Sequence, residues 1–185
     1  MIAHKGTQEL STTRLILRRF TMDDAQAMYA NWASDPEVTK FLTWPAHSSV
    51  EVTGSVLQSW VGGYAKEDFY QWAIVLKELG EPIGSITVAN QDDNVGKAHI
   101  GYCMGRAWWH QGIMSEALRA VIDFLFDEVG MQRVETRHDP KNPHSGGVMQ
   151  KCGMQFEGTM RRADHSNQGL CDASWYAILS DDVRR

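Results

Sequence analysis

The sequence predicts a mixed α/β domain built on a mostly antiparallel sheet. Three observations predict it: runs of period-two and helical hydrophobicity alternate, the middle strands are joined by short turns, and one later connection runs through a long amphipathic helix. The element order is strand, two helices, three strands, helix, strand, helix, two strands, giving about seven strands and about four helices.

Arg14–Arg19 sets Leu15 and Leu17 against Ile16 and Arg18 and reads as the opening strand. Thr21 suits a helix N-cap, Asp23 and Asp24 suit the positive end of the helix dipole, and Ala25, Met28, Tyr29 and Trp32 recur at helical spacing. Ser34-Asp35-Pro36 ends that helix. A loop with Trp44, Pro45 and His47 leads to a second helical pattern, Val52–Tyr64, closed by Gly62 and Gly63. Trp72–Leu76, Pro82–Ala89 and Ala98–Met104 are then consecutive strands, separated by turn chemistry at Leu79-Gly80-Glu81 and Asp92-Asp93-Asn94. After Gly112, Ile113, Ala117, Val121, Phe124 and Leu125 share one face of a helix that stops at Gly130. Arg133–His138 is a strand reached by a crossover long enough to be parallel. Pro143–Lys151 is a short helix stopped by Gly153, and Gln155–Arg162 pairs with Ala173–Leu179 across the polar segment Asp164–Gly169. No repeat or linker interrupts this order, so residues 1–185 read as a single domain with 1–12 expected to be flexible.

The composition narrows the class. With 185 residues and 43% apolar or aromatic side chains, the chain can bury one full core. Eighteen basic against 23 acidic residues leave a net charge of -5, without the basic surplus of a duplex-binding protein. No secretory signal is visible, and the longest apolar run, Leu118–Phe126, is interrupted by Arg119 and Asp123, far short of the roughly 20 residues of a membrane span. Cys103, Cys152 and Cys171 are odd in number and widely spaced, which fits reduced thiols in a cytoplasm. No Cys-x-x-Cys, His-x-His or His-Glu-x-x-His pair occurs, so no metal site is expected.

The stretch Ile100–Ala117 carries the chemistry. A strand runs through a glycine-bearing loop into a long helix, so the free N–H groups of the first helical turn face the loop mouth and suit an anion such as pyrophosphate. Gly112 would let it approach the backbone with no Cβ in the way. The spacing is neither a P-loop nor a Rossmann fingerprint, and a plain structural turn is the competing reading.

This stretch resembles the acetyl-CoA-binding motif Q/R-x-x-G-x-G/A of the GNAT superfamily of N-acetyltransferases, standing here as Trp109-His110-Gln111-Gly112-Ile113-Met114. The chain is similar to the RimJ/RimL-type branch, the ribosomal-protein N-acetyltransferases and their relatives, through Thr13 to Arg18, Ser34 to Val38, Trp44-Pro45, Ile83-Gly84, Ile100-Gly101-Tyr102, Gly112 to Leu118, Asn142 with Ser145, Lys151 to Met154, and Glu157 to Arg161. Trp109 and Met114 depart from the pattern, where the family has glutamine or arginine and a small residue.

The resemblance implies a GNAT fold whose fourth and fifth strands splay into a V-shaped gap. Acetyl-CoA would be the co-substrate, its pantetheine arm pairing with Tyr102, Cys103 and Met104 and its pyrophosphate meeting the main chain from Trp109 through His110, Gln111, Gly112, Ile113, Met114 and Ser115. Lys151 is expected to bind the cofactor and Asn142 the pantetheine amide; Asn142 also reads as a plain helix cap with Ser145 in the first turn, and the two readings are compatible. The family transfers acetyl directly to the amine, with a strand N–H from Tyr102 or Cys103 stabilising the oxyanion and Ser145 near the departing sulfur. Cys103 is expected to be a small buried hydrophobe rather than a nucleophile. Where relatives carry a glutamate, this chain has His99, which reads equally as the general base or as a strand-surface residue without a role.

Asp35, with Glu37, is the expected contact for a cationic acceptor, and Trp44 and Trp32 are candidates for its wall. The implied partners are acetyl-CoA and an amine, either a protein N-terminus or a small molecule, with no nucleic acid or membrane, in a monomer or homodimer. The rival reading is a GNAT fold that binds acyl-CoA or a partner without transferring the acyl group.

Overall fold

The computed structural model describes residues 2–182, which form one eight-stranded sheet with helices on both faces. The strands are β1 Leu10–Ser11, β2 Leu15–Arg18, β3 Gln71–Leu76, β4 Pro82–Asp92, β5 Lys97–Met104, β6 Arg133–His138, β7 Gln155–Ser166 and β8 Gly169–Leu179, in spatial order β1-β2-β3-β4-β5-β6-β8-β7. The helices are α1 Ala25–Met28, α2 Pro36–Thr39, α3 Val50–Gly63, α4 Ile113–Phe124 and α5 Pro143–Lys151. Every neighbouring strand pair is antiparallel except β5–β6, which is the expected crossover through α4.

Both faces of β3 are covered, so all six of its residues are buried. On one face Trp72, Ile74 and Leu76 join Ile86, Ile100 and the apolar side of α4 in the larger core. On the other, Ala73 and Val75 meet Phe20, Met28, Trp32 and Leu57 in a second core.

Two elements escaped the sequence reading because they are too short to show a period: β1, with two residues, and α2, with four. α3 starts at Val50 because Ser49 caps it, accepting from Val52 N–H at 3.4 Å. The first helix begins with a 3₁₀ turn at Met22–Asp24 and ends in a π turn at Tyr29–Ala33. Its Asp24 accepts two bonds from Arg18, both at 2.8 Å, and so ties the helix to β2.

Met1 lies outside the described residues. The rest of the segment expected to be flexible is held: Ala3 N–H bonds Val129 O, His4 Nδ1 lies 2.8 Å from the Tyr70 hydroxyl, and Gly6 N–H bonds Glu67 O. β7 and β8 run further than their apolar patterns, meeting at Ser166↔Gly169, because main-chain pairing carries the hairpin's tip, where the side chains are largely exposed.

The sheet opens at one place. β5 and β6 pair only at Lys97↔Arg133, Ala98↔Val134 and His99↔Glu135. Beyond that, β5 stays on β4 as far as Met104↔Gly84 while β6 follows β8 as far as His138↔Ser174, leaving a wedge between them.

Candidate active site

The wedge exposes one edge of β5. The Ile100 carbonyl faces β6, where the Thr136 hydroxyl donates to it at 2.8 Å, whereas Gly105 N–H turns the other way to Ile83 O on β4. Main-chain groups alternate sides along a strand, so those of Tyr102 and Met104 face the wedge and those of Cys103 face β4. Of the three residues expected to pair with a pantetheine arm, Cys103 therefore contributes no main-chain group. Its thiol lies 3.4 Å from Ser85 Oγ, and burial pushes its pKa up to about 11, consistent with a packed hydrophobe. The Met104 carbonyl accepts from the Trp109 indole N–H at 2.7 Å, which fixes the ring at the side of the wedge.

β5 leads through a 3₁₀ turn, Arg106–Trp108, to Gly112 and α4. Gly112 has φ +74°, and a Cβ there would meet only Arg14 Nη2, at 3.7 Å, so the space before the helix is open. The first N–H groups of α4 have no partner within the helix. Arg14 anchors this end, its Nε on Glu116 at 2.7 Å and its Nη1 on the Gln111 carbonyl at 2.9 Å. Of the residues expected at the cradle, Trp109, His110, Gly112, Ile113, Met114 and Ser115 line the cleft. Gln111 does not: its amide donates to Ala107 O and shapes the loop instead.

Across the wedge, Pro143 starts α5 and Asn142 occupies its N-cap, but the Asn142 side chain makes no capping bond. The capping alternative for Asn142 is thereby removed, and the residue lines the cleft. Ser145, one turn in, has its Oγ 3.0 Å from the Tyr102 hydroxyl, which also reaches the Ser145 carbonyl at 3.2 Å. Burial holds the Tyr102 phenol well above its ordinary pKa, so it keeps its proton. Sequence reasoning missed this hydroxyl pair, since nothing in the spacing of residues 102 and 145 brings them together. Gly146 permits it: a Cβ there would come within 2.7 Å of His138 Nε2, so glycine lets α5 close on β6. Lys151, at the far end of α5, is exposed and lines the same cleft.

The cleft, about 820 Å³, passes through the wedge to the opposite face of the sheet. There Trp44 and Trp60 form a wall, and Gln71, Thr87, His99 and Gly101 form the floor. The tip of the β7–β8 hairpin crosses above the loop bearing Trp44. Asn167 N–H bonds Leu42 O at 3.0 Å, and its Nδ2 bonds Thr39 O at 2.7 Å and Trp44 O at 2.8 Å.

Three expected roles change here. Trp32 is fully buried among Phe20, Met28 and Leu57 and does not reach the cleft. Asp35 caps α2, accepting from Glu37 N–H at 2.9 Å, and pairs with Arg106 at 2.5 Å, so its carboxylate is already engaged. His99 is poorly placed to act as a base, because its Nε2 lies 2.9 Å from Arg137 Nη1, and a guanidinium can only donate. The lone pair a base needs is occupied, and burial, aided by the neighbouring Arg137 charge, lowers the imidazole pKa to about 4.

The chain from residue 14 to 155 matches the family model described as the Acetyltransferase (GNAT) domain. It is 30% identical over 172 residues to p20, an uncharacterized N-acetyltransferase of Bacillus licheniformis, covering 93% of this chain and 96% of that one. It is also 30% identical over 145 residues to the ribosomal-protein-serine acetyltransferase of Escherichia coli K12, covering 76% and 78% of the two chains. Among solved structures, the Microcin C7 self immunity acetyltransferase in complex with acetyl-CoA and AMP superposes with a TM-score of 0.83 at 20% identity, over 91% of this chain and 93% of that one.

Proposed function

The chain belongs to the GNAT family of acetyltransferases, and from that premise we propose that it moves an acetyl group from acetyl-CoA to a primary amine by direct attack, with both held in the cleft together. The observation that carries this reading is the wedge, whose open β5 edge at Tyr102 and Met104 leads through the Arg106–Trp108 turn to the helix N-terminus at Gly112. The residues fit an extended pantetheine arm on that edge and a pyrophosphate at the cradle, where no Cβ intrudes. Acetyl-CoA supplies the activated thioester.

The reaction breaks the acyl C–S bond and forms an amide C–N bond. The ammonium gives up two protons, one ending on the sulfur and one in solvent. Tyr102 N–H, facing the wedge, donates to the acyl oxygen. Ser145 Oγ–H donates toward the sulfur, and the Tyr102 phenol, which stays protonated, pairs with Ser145 Oγ and holds it in place. Asn142 holds the pantetheine amide, and the exposed Lys151 ammonium meets the anionic end of the cofactor.

Acetyl-CoA should raise the melting temperature, and thiol release should follow when an amine is added. Similarity to the ribosomal-protein-serine acetyltransferase puts peptides of ribosomal N-termini first in the panel, ahead of small amines. Stabilisation without thiol release from any amine would leave the acyl-CoA-binding module as the better reading. Ser145→Ala should lower kcat by about 100-fold while acetyl-CoA affinity stays within about threefold. Unchanged turnover would remove Ser145 as proton donor.

A further inference from the structure

We propose that His99 and Gln71 are hydrogen-bond donors to the acceptor, which is therefore a primary amine carrying a carbonyl or carboxylate oxygen beside an apolar or aromatic group; this rests on the transfer reading above. The argument starts at Arg137. Asp164 holds its guanidinium through two bonds, at 2.6 and 3.1 Å, and the Trp175 ring lies against it, 5.4 Å from centroid to Cζ. So fixed, Arg137 donates to His99 Nε2 at 2.9 Å. A neutral imidazole has one lone pair and one N–H, so the lone pair on Nε2 places the proton on Nδ1. A doubly protonated ring would aim an N–H at a guanidinium, and the lowered pKa agrees that the ring stays neutral. The other charges near it, Lys97 and Glu135, pair with each other at 3.3 Å.

Among the described residues, His99 Nδ1 is buried and has no partner, and neither has the amide nitrogen of Gln71, a residue only 4% exposed. Both side chains line the same cleft on the same face of the sheet. The register runs Gln71↔Thr87↔Gly101, and His99 lies two residues before Gly101 on that face. Two buried donors without partners call for an oxygen from the ligand. A simple alkylamine offers none, and its only nitrogen must stay free to attack. Trp44 and Trp60, beside the donors, suit an apolar or aromatic substituent.

The test compares phenylalaninamide, phenylalanine and phenethylamine as acceptors, with nitrogen-15 NMR of the imidazole in the intact protein. Wild type should prefer the amide or the free acid over phenethylamine, the better of the two identifying the oxygen as carbonyl or carboxylate. His99→Leu should lower that preference about tenfold, the effect of one lost hydrogen bond, whereas His99→Asn, which keeps an N–H near the Nδ1 position, should retain most of it. The NMR signals should show protonated Nδ1 and bare Nε2 without titration down to pH 5. A ring protonated on Nε2, or titrating near its ordinary pKa, overturns the proposal, as does equal loss with all three acceptors in both variants. Absence of turnover with every amine tried overturns the transfer reading itself, and the acceptor assignment with it. Turnover with an unchanged preference overturns only the donor assignment.

Discussion

The bond from Arg137 to His99 decides what a single imidazole can do. It also makes a prediction about stability. The folded chain keeps His99 neutral down to about pH 4, while the unfolded ring takes up a proton near its ordinary 6.5. Between those values the unfolded state binds more protons, so stability is complete above about pH 6.5 and is lost as pH falls toward 4. Urea titrations should show wild type losing up to roughly 3 kcal/mol more than His99→Asn across that window; equal losses would mean that His99 titrates normally. A histidine before Ile-Gly-Tyr was legible in the sequence as a candidate, but its protonation was not, because Arg137 lies 38 residues away along the chain. The same holds for Ser145, whose partner Tyr102 is 43 residues away.

Among the elements, the β7–β8 hairpin does what its composition conceals. Asp164–Gly169 reads as a polar loop, yet it extends both strands and carries Asn167 across to Leu42, Thr39 and Trp44. Asn167 thereby holds the hairpin over the Trp44 end of the cleft. Asn167→Asp keeps the size of the side chain but turns both Nδ2 bonds into contacts between oxygens. It should raise acceptor KM about three- to tenfold with kcat and acetyl-CoA affinity unchanged, and speed hydrogen exchange in residues 39–44. If exchange and KM are both unaltered, the hairpin does not act as a roof. α4 was the opposite case: its apolar face and Gly112 are local signals, and the helix starts where they put it.

Across the whole molecule, the sheet separates two cores, and the cleft passes through the one place where it splits. Two tryptophans that look alike in the sequence fall on different sides of that division. Trp32 is fully buried in the smaller core, so Trp32→Ala should cost about 3–5 kcal/mol in chemical denaturation and leave acceptor KM within twofold. Trp44 lines the cleft, so Trp44→Ala should cost about 1 kcal/mol and raise acceptor KM several-fold. The reverse pattern would show that the wall has been assigned to the wrong ring. Among the described residues, no helix is long and apolar enough to cross a membrane.

The sequence by itself determined the order of the main elements, the antiparallel meander, the crossover and the glycine-led helix, because periodicity, caps and turns act over a few residues. It also carried the family resemblance, which the family match and the 30% identical relatives bear out. Only the tertiary structure decided which side of β5 each main-chain group faces, that Asp35 and Trp32 serve structure, that Asn142 leaves its cap unmade, and that Arg137 meets His99 Nε2. Those outcomes depend on partners brought together from distant parts of the chain, and a hydrogen bond between side chains 38 residues apart leaves no local pattern to read.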